Sequence, residues 1–343
     1  MRKSLLSNLK CLVCSDSSFS LAGEASSSLE TLNGKLVCDK CGTSYQIEDG
    51  IVNFLKDMNK AISREREAMD IDDYIRDEQG NKYKITEDTI QKFRDLFLSL
   101  PEGDGSYFFK QGGSFQTIAE AANRFYSTLD CLSLTGKEKI LEIGASFSYA
   151  SFKFAQKGCN VVATDISNYL KVSNLFVKKA YYERMFSDMH HIPFIDNTFD
   201  IVFGAAVLHH SKDLKKVFME IHRVLKPGGR LVLINETSRG ILERIHPVYK
   251  EMEEKGYGDT AYTLAEWRKS ARAGGFKKAG IDFLSLADDY VTRRKNRGAK
   301  LNFKLRLAYF FKKHRKLEWL VSLMIILPRF IFRPKSWRLI CYK

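Results

Sequence analysis

Four cysteines carry the plainest chemistry in this sequence. Cys11-x2-Cys14 and Cys38-x2-Cys41 stand 23 residues apart. Each pair can form a tight knuckle with both sulfurs turned inward, and two knuckles complete a tetrahedral thiolate site for Zn2+. Zinc suits thiolates because it is borderline-soft and brings no redox chemistry that would consume them. A four-sulfur site is closed, so the role expected is structural. The Ser- and Gly-rich stretch Ser15–Asn33 needs the folding energy that a metal would supply. A redox Cys-x-x-Cys or free thiols are the competing readings, and two matched pairs favour zinc. The second candidate is His209-His210. An imidazole ionises near operating pH, so either ring could take a proton from a hydroxyl or amine, with His210 ahead of His209 and His190 a weaker third. The competing reading is that one ring packs or caps and the other is solvated.

These residues need elements to hold them. After Cys41, residues Gly42–Phe54 read as a hairpin. Lys60–Asp73, Glu87–Leu100 and Phe115–Leu132 read as helices, broken by loops at Pro101–Ser106 and Gly112-Gly113. From Lys139 onward the chain alternates. Strands are expected at Lys139–Ile143, Asn160–Thr164, Phe199–Ala205 and Arg230–Asn235, with helices at Ser167–Lys179 and Asp213–Leu225. That order predicts an α/β fold, a Rossmann-like doubly wound, mainly parallel sheet whose ligands bind at the carboxyl ends of the strands.

Three stretches make the pattern specific. They are Ile192-Pro193-Phe194-Ile195-Asp196-Asn197-Thr198-Phe199-Asp200, then Val207-Leu208-His209-His210, then Arg223-Val224-Leu225-Lys226-Pro227-Gly228-Gly229-Arg230. The span Lys139–Asn235 resembles a class I S-adenosylmethionine-dependent methyltransferase of the type 11 group. The stretch after Cys38-x2-Cys41 resembles the small zinc-ribbon proteins associated with methyltransferases, and the N-terminal ribbon of certain bacterial rRNA guanine methyltransferases.

The resemblance implies S-adenosyl-L-methionine as cofactor, held by Glu142, Gly144, Ser146, Asp165, Ile166, Asp188, Met189 and Ala205. Glu142 and Gly144 match the first motif, where the backbone lies against the methionine part. Asp165 matches the acid that accepts both ribose hydroxyls, and Asp188 with Met189 the pair that holds adenine. It also puts His209 and His210 near the acceptor. One departure stands out: the family's alternating glycines read Gly144, Ser146 and Ser148 here, with Phe147 among them. Serine permits close approach if its φ stays negative.

Charge adds a further division. Residues 285–343 hold 16 Lys and Arg against three acids, +13 of the chain's +14. The rest is balanced, so an anionic partner would be local. Trp337–Lys343 fits the last strand of the family sheet, which makes 285–336 an insertion. Its apolar run Trp319–Leu327 spans about 14 Å as a helix, short of a ~30 Å bilayer core. Three readings are open for it: a lid packed on the enzyme, peripheral contact with anionic membrane, or RNA. The start of the chain lacks a long apolar core and cleavage site, so a cytoplasmic protein is expected.

The expected organisation is a zinc ribbon at 1–57, a helical connector or cap at 58–135, a methyltransferase domain at 136–284 plus 337–343, and the basic insertion. The expected function is methyl transfer to a small-molecule, glycan or lipid-linked acceptor. An rRNA or tRNA methyltransferase and a non-catalytic cofactor-binding or scaffold protein are the alternatives.

Overall fold

The computed structural model describes residues 1–25, 30–55, 63–68, 74–76, 81–103, 118–119, 121–243, 250–251, 254–256, 258–296, 300–314, 316–317 and 336–343. Its strands are β1 Phe19–Ala25, β2 Thr31–Cys38, β3 Ser44–Glu48, β4 Ile51–Asn53, β5 Ile75–Arg76, β6 Lys82–Tyr83, β7 Lys139–Ile143, β8 Asn160–Asp165, β9 Glu183–Phe186, β10 Phe199–Ala205, β11 Leu225–Ile234, β12 Lys278–Phe283 and β13 Trp337–Tyr342. All but the small β5–β6 pair belong to one 11-stranded sheet, ordered β1-β2-β3-β4-β9-β8-β7-β10-β11-β13-β12.

Strands β9, β8, β7, β10 and β11 run parallel. Of these, β7, β8 and β10 are largely apolar because both faces are covered. The expected last strand is β13, inserted antiparallel between β11 and β12. Strand order reverses between β7 and β10, and ligands of such sheets sit at that switch point.

The ribbon strands are not a separate sheet. β1 to β4 form an antiparallel meander, and β4 then pairs in parallel with β9 at the open edge of the Rossmann half. Covering that edge removes a row of unpaired backbone groups. The join is apolar as well: Leu9, Leu36, Tyr45, Val52 and Phe54 share one buried cluster with Leu141, Met185 and Phe194. A second tie runs through the backbone, where Lys10 N donates to Pro193 O at 3.1 Å and Ile195 N to Asn8 O at 2.9 Å.

Several expected elements differ in detail. Residues 167–179 form a 3-10 helix Asn168–Ser173 and one α-turn Asn174–Val177. Residues 87–100 form two short helices, Glu87–Lys92 and Arg94–Leu98, broken at Phe93. The helix expected from Phe115 is Ala122–Leu132. The helix before β11 is Leu214–Val224, and β11 itself begins at Leu225, so Pro227-Gly228-Gly229 form an irregularity within the strand rather than a turn before it. Of Lys60–Asp73, residues 63–68 are helical. The run Trp319–Leu327 lies outside the described residues. Among the described residues, no helix is long and apolar enough to cross a membrane.

Candidate functional site

Two groups of chemistry-bearing residues stand out, one in the ribbon and one at the switch point. In the ribbon, Cys11, Cys14, Cys38 and Cys41 bring their sulfurs within 4.8 Å of one another. Cys11 Sγ lies 3.7 Å from Cys41 Sγ and Cys14 Sγ 3.5 Å from Cys38 Sγ. Those separations are too long for disulfides and close to the ~3.8 Å that Zn–S bonds of ~2.3 Å give in a tetrahedron. Hydrogen bonds from the Thr43 hydroxyl and N–H pull the Cys41 thiol down to about 6, toward the thiolate a metal needs. The donor set fits zinc.

At the switch point, the loop after β7 shapes the first half of the cleft. Gly144 has φ +65°, and a Cβ there would come within 2.2 Å of a Val207 methyl group. Ser146 at φ +47° and Ser148 at φ +63° also lie in the left-handed region. The expectation that serine would serve only with negative φ is therefore overturned: both serines adopt the backbone that glycine favours. The loop is locked because Ser146 N donates to Asp165 Oδ2 at 2.7 Å and Ala145 N to Thr164 O at 2.9 Å.

Glu142 turns away from this loop. Its carboxyl is buried and accepts from Ser151 N at 2.7 Å and from the Ser151 hydroxyl, which caps the helix Tyr149–Gln156. Burial pushes it up to about 8 despite those bonds. Asp165, ending β8, is also buried; its other oxygen accepts from Ser167 N at 2.7 Å. Burial raises this carboxyl too, against the N–H bonds from Ser167 and Ser146. Each oxygen keeps acceptor capacity beyond its one backbone partner. Ile166 and Ala205 are half-buried beside the cluster under the loop, and Met189 beside the opposite one.

Asp188 follows β9. Burial would raise its carboxyl, but hydrogen bonds from His190 and His191 hold it below the usual range. It meets His190 Nδ1 at 2.7 Å, and His190 Nε2 meets Ser211 Oγ at 2.7 Å. The arrangement has the outline of a nucleophilic triad. Ser211, however, is only 1% exposed and its Oγ also accepts from Asp213 N, so the chain of bonds cross-links two loops.

His209 and His210 sit in a 3-10 turn after β10, their ring centroids 4.3 Å apart. Three acids that the sequence did not single out surround them. Glu236, just past β11, accepts from the N–H groups of Val207, Leu208 and His209 and from His209 Nδ1 at 2.8 Å. Asp259 Oδ1 lies 2.5 Å from His210 Nδ1. Its loop is fixed by Thr260 N donating to His209 O at 2.8 Å, and by Gly258, where a Cβ would meet His210 O at 2.1 Å. Glu65, from helix 63–68, comes within 3.7 Å of His210 Nδ1. Burial raises it to about 7, the carboxylates of Asp259 and Asp165 adding to the rise and His210 opposing it. The 63–68 helix thus closes over the end of the cleft where Asp165 and the histidines meet. Positions 65, 236 and 259 are far apart in sequence. The one local hint was Glu236, an acid two residues past the end of β11, much as Asp165 stands at the end of β8.

Comparison with known proteins agrees with this geometry. Residues 141–233 match the methyltransferase domain family. A methyltransferase of Streptomyces halstedii, GfsG, is 28% identical over 192 residues, covering 53% of this chain and 66% of that protein. A ubiquinone/menaquinone biosynthesis C-methyltransferase of Haemophilus ducreyi is 33% identical over 132 residues, 36% of this chain and 50% of that protein. The chain thus spans about half to two thirds of the length of these relatives. A phosphoethanolamine N-methyltransferase of Haemonchus contortus shares the fold with a TM-score of 0.50 at 19% identity, over 81% of this chain and 60% of that one. The match over residues 141–233, together with the strand order and the switch-point loop, identifies this part of the chain as a methyltransferase domain with the Rossmann-like fold.

Proposed function

We propose that this chain transfers a methyl group from S-adenosylmethionine to a small-molecule acceptor bound beside His209 and His210. One observation carries the reading. The left-handed loop Gly144–Ser148 and the carboxylate of Asp165 are bonded into a single rigid edge, with Asp188 and the histidine pair on the neighbouring loops. The cofactor supplies a methyl group already activated on a sulfonium, so the protein's task is binding and orientation. Ser146 and Ser148 keep the glycine-like shape, which argues against a degenerate, non-binding fold. Asp165 is the proposed acceptor for the ribose hydroxyls, Asp188 and Met189 the adenine contacts, and Gly144, Ser146, Ile166 and Ala205 the close walls. Glu142 contributes by holding the helix behind the loop.

His210 is the proposed acceptor of the nucleophile's proton, with His209 oriented beside it. Burial alone would lower His210, but Asp259, Glu65 and Glu236 raise it above the ordinary histidine value. Relatives named for quinone and malonyl-[acyl-carrier protein] methylation favour a small or carrier-linked organic acceptor. The four cysteines are proposed to hold one structural Zn2+. The test is calorimetry with S-adenosylmethionine, followed by methyl transfer to small-molecule and lipid fractions. Asp165→Ala should weaken cofactor binding by ~1–3 kcal/mol, because the hydroxyls lose a charged acceptor. An unchanged dissociation constant rules out this placement.

A second feature favours peripheral contact with an anionic membrane. The helix Phe303–Lys313 buries Leu305 and Ala308 against Val291 but exposes Phe303, Leu307 and Phe310 alongside Lys304, Arg306 and Lys312.

A further inference from the structure

The acids around His209 and His210 are too many and too well oriented for a lone proton acceptor. Glu236 is buried and accepts from the N–H groups of Val207, Leu208 and His209, so its carboxyl is held in one orientation against the His209 ring. The carboxylate lies 2.8 Å from Nδ1, so Nε2 is the ring nitrogen that faces away from Glu236 and can serve as a ligand. Nε2 faces Asp259 Oδ1 across 4.0 Å. A cation seated between them would meet both, because 4.0 Å is about twice a metal–nitrogen or metal–oxygen bond of ~2.0–2.2 Å.

The same Asp259 oxygen lies 2.5 Å from His210 Nδ1, yet the pair lacks the angles of a hydrogen bond. Both are buried polar atoms without a hydrogen-bond partner, an arrangement proteins rarely leave unexplained. One donor atom each from His209, His210 and Asp259 falls within 4.8 Å of the others, and Glu65 Oε1 is in reach of His210. Among the described residues, every ion pair made by Glu65, Glu236 and Asp259 is with a histidine; no lysine or arginine neutralises the group.

We infer that His209 Nε2, His210 Nδ1 and Asp259 Oδ1, with Glu65 as a fourth candidate ligand, form a binding site for a divalent transition-metal ion. Two imidazoles and a carboxylate suit Mn2+, Fe2+, Co2+ or Zn2+ and leave positions open. Glu236 is the outer carboxylate that orients one of the ligands, a partner such sites regularly use. The bound ion takes over from His210 the activation of the nucleophile: it can lower the pKa of an acceptor hydroxyl or amine that binds to it, so that the proton leaves to solvent. That role rests on the methyl-transfer reading. The binding of the ion does not.

The experiment uses the full chain with its ribbon cysteines saturated by zinc, and titrates Mn2+, which thiolates disfavour. Electron paramagnetic resonance counts free Mn2+ while calorimetry follows S-adenosylmethionine separately. One Mn2+ per chain is expected. Asp259→Asn should abolish it, and Glu236→Gln should weaken it about 10–100-fold, as loss of an outer carboxylate does elsewhere. Cofactor affinity in both variants should stay near the parent value, which shows that they are folded. No Mn2+ bound by the parent chain, or equal binding by folded Asp259→Asn, overturns the site. Mn2+ bound without any cofactor binding would instead defeat the methyl-transfer reading and leave this one standing.

Discussion

Ser148 is fully buried with φ +63°, a backbone that costs a non-glycine residue roughly 1–2 kcal/mol. Glycine would remove that strain but would add about 0.5–1 kcal/mol of unfolded-state entropy. Ser148→Gly should therefore stabilise the chain slightly, by ~0.5–1 kcal/mol in urea unfolding, with cofactor affinity retained. Gly144→Ala should do the reverse. It adds the same strain and drives a methyl group against Val207, whose N–H is already bound to Glu236. A loss of roughly 2–3 kcal/mol is expected. An unchanged midpoint for Gly144→Ala would mean that the loop is free to relax. Glu142 gives a pH test. Its carboxyl, at about 8 in the native chain, lies above the ordinary 4.5. Below pH 4.5 both states are protonated; above it the unfolded chain loses its proton first. Native stability should therefore fall from about pH 4.5 to about pH 8 and then level off, by on the order of 3–5 kcal/mol. Glu142→Gln should remove that slope in unfolding measured at pH 5 and pH 8, and an identical slope would refute the buried neutral acid. Sequence singled out Glu142 within β7, Asp165 at the end of β8 and Asp188 after β9 through their motif order. It could not disclose the sign of φ at two serines, nor the meeting of Glu65, Glu236 and Asp259, which only tertiary structure brings together.

Elements were legible where one period dominated. The apolar runs that became β7, β8 and β10 stand where their patterns put them, because both faces of those strands are buried. β9 was missed because its sequence, Glu183-Arg184-Met185-Phe186, carries two charges into the core. They are tolerated because each has a partner: Glu183 accepts from Arg2 N, and Arg184 meets Glu30 and Asp49 O. Those partners come from the ribbon, so the hidden strand and its docking to β4 are one phenomenon. If the four cysteines hold zinc as proposed, removing it should therefore destabilise more than the ribbon. Cys38→Ser, or chelation of the metal, frees β2 and β3, which hold β4 on the edge of β9. A single cooperative thermal transition should remain, lowered by roughly 3–6 °C for a loss of ~2–4 kcal/mol. Cofactor affinity should fall with it, since Asp188 follows β9. A separate low-temperature transition beside an unshifted main one would make the ribbon an autonomous module.

Over the whole molecule, the charge arithmetic gave the insertion its place, and the structure gives its root a reason. Asp289, at its entry, is buried and accepts from Asn123 Nδ2 at 2.6 Å, from Arg124 Nε at 2.7 Å and from the Ser336 hydroxyl. Entry and exit are thus tied to one helix, Ala122–Leu132, and Arg124 also reaches Asn235 at the carboxyl end of β11. The basic segment is rooted on the same side of the sheet as the site, which is what a surface-bound acceptor would require. Phe303 is 78% exposed, and Leu307 and Phe310 follow it on the same helical face, three to four residues apart. Cations beside exposed aromatic and aliphatic groups suit an interface where headgroups are anionic and the layer beneath is apolar. Each Lys or Arg near such a surface adds about 1 kcal/mol, screened over a Debye length of ~8–10 Å. The full chain should co-sediment with vesicles containing anionic lipid and not with neutral ones, and binding should weaken as salt rises. Lys304→Glu should cost at least ~5-fold in that affinity, the equivalent of one such contact. Phe303→Ser should weaken it at every salt concentration, because its share comes from burial rather than charge. If both variants sediment as the parent does, the exposed face has some other role.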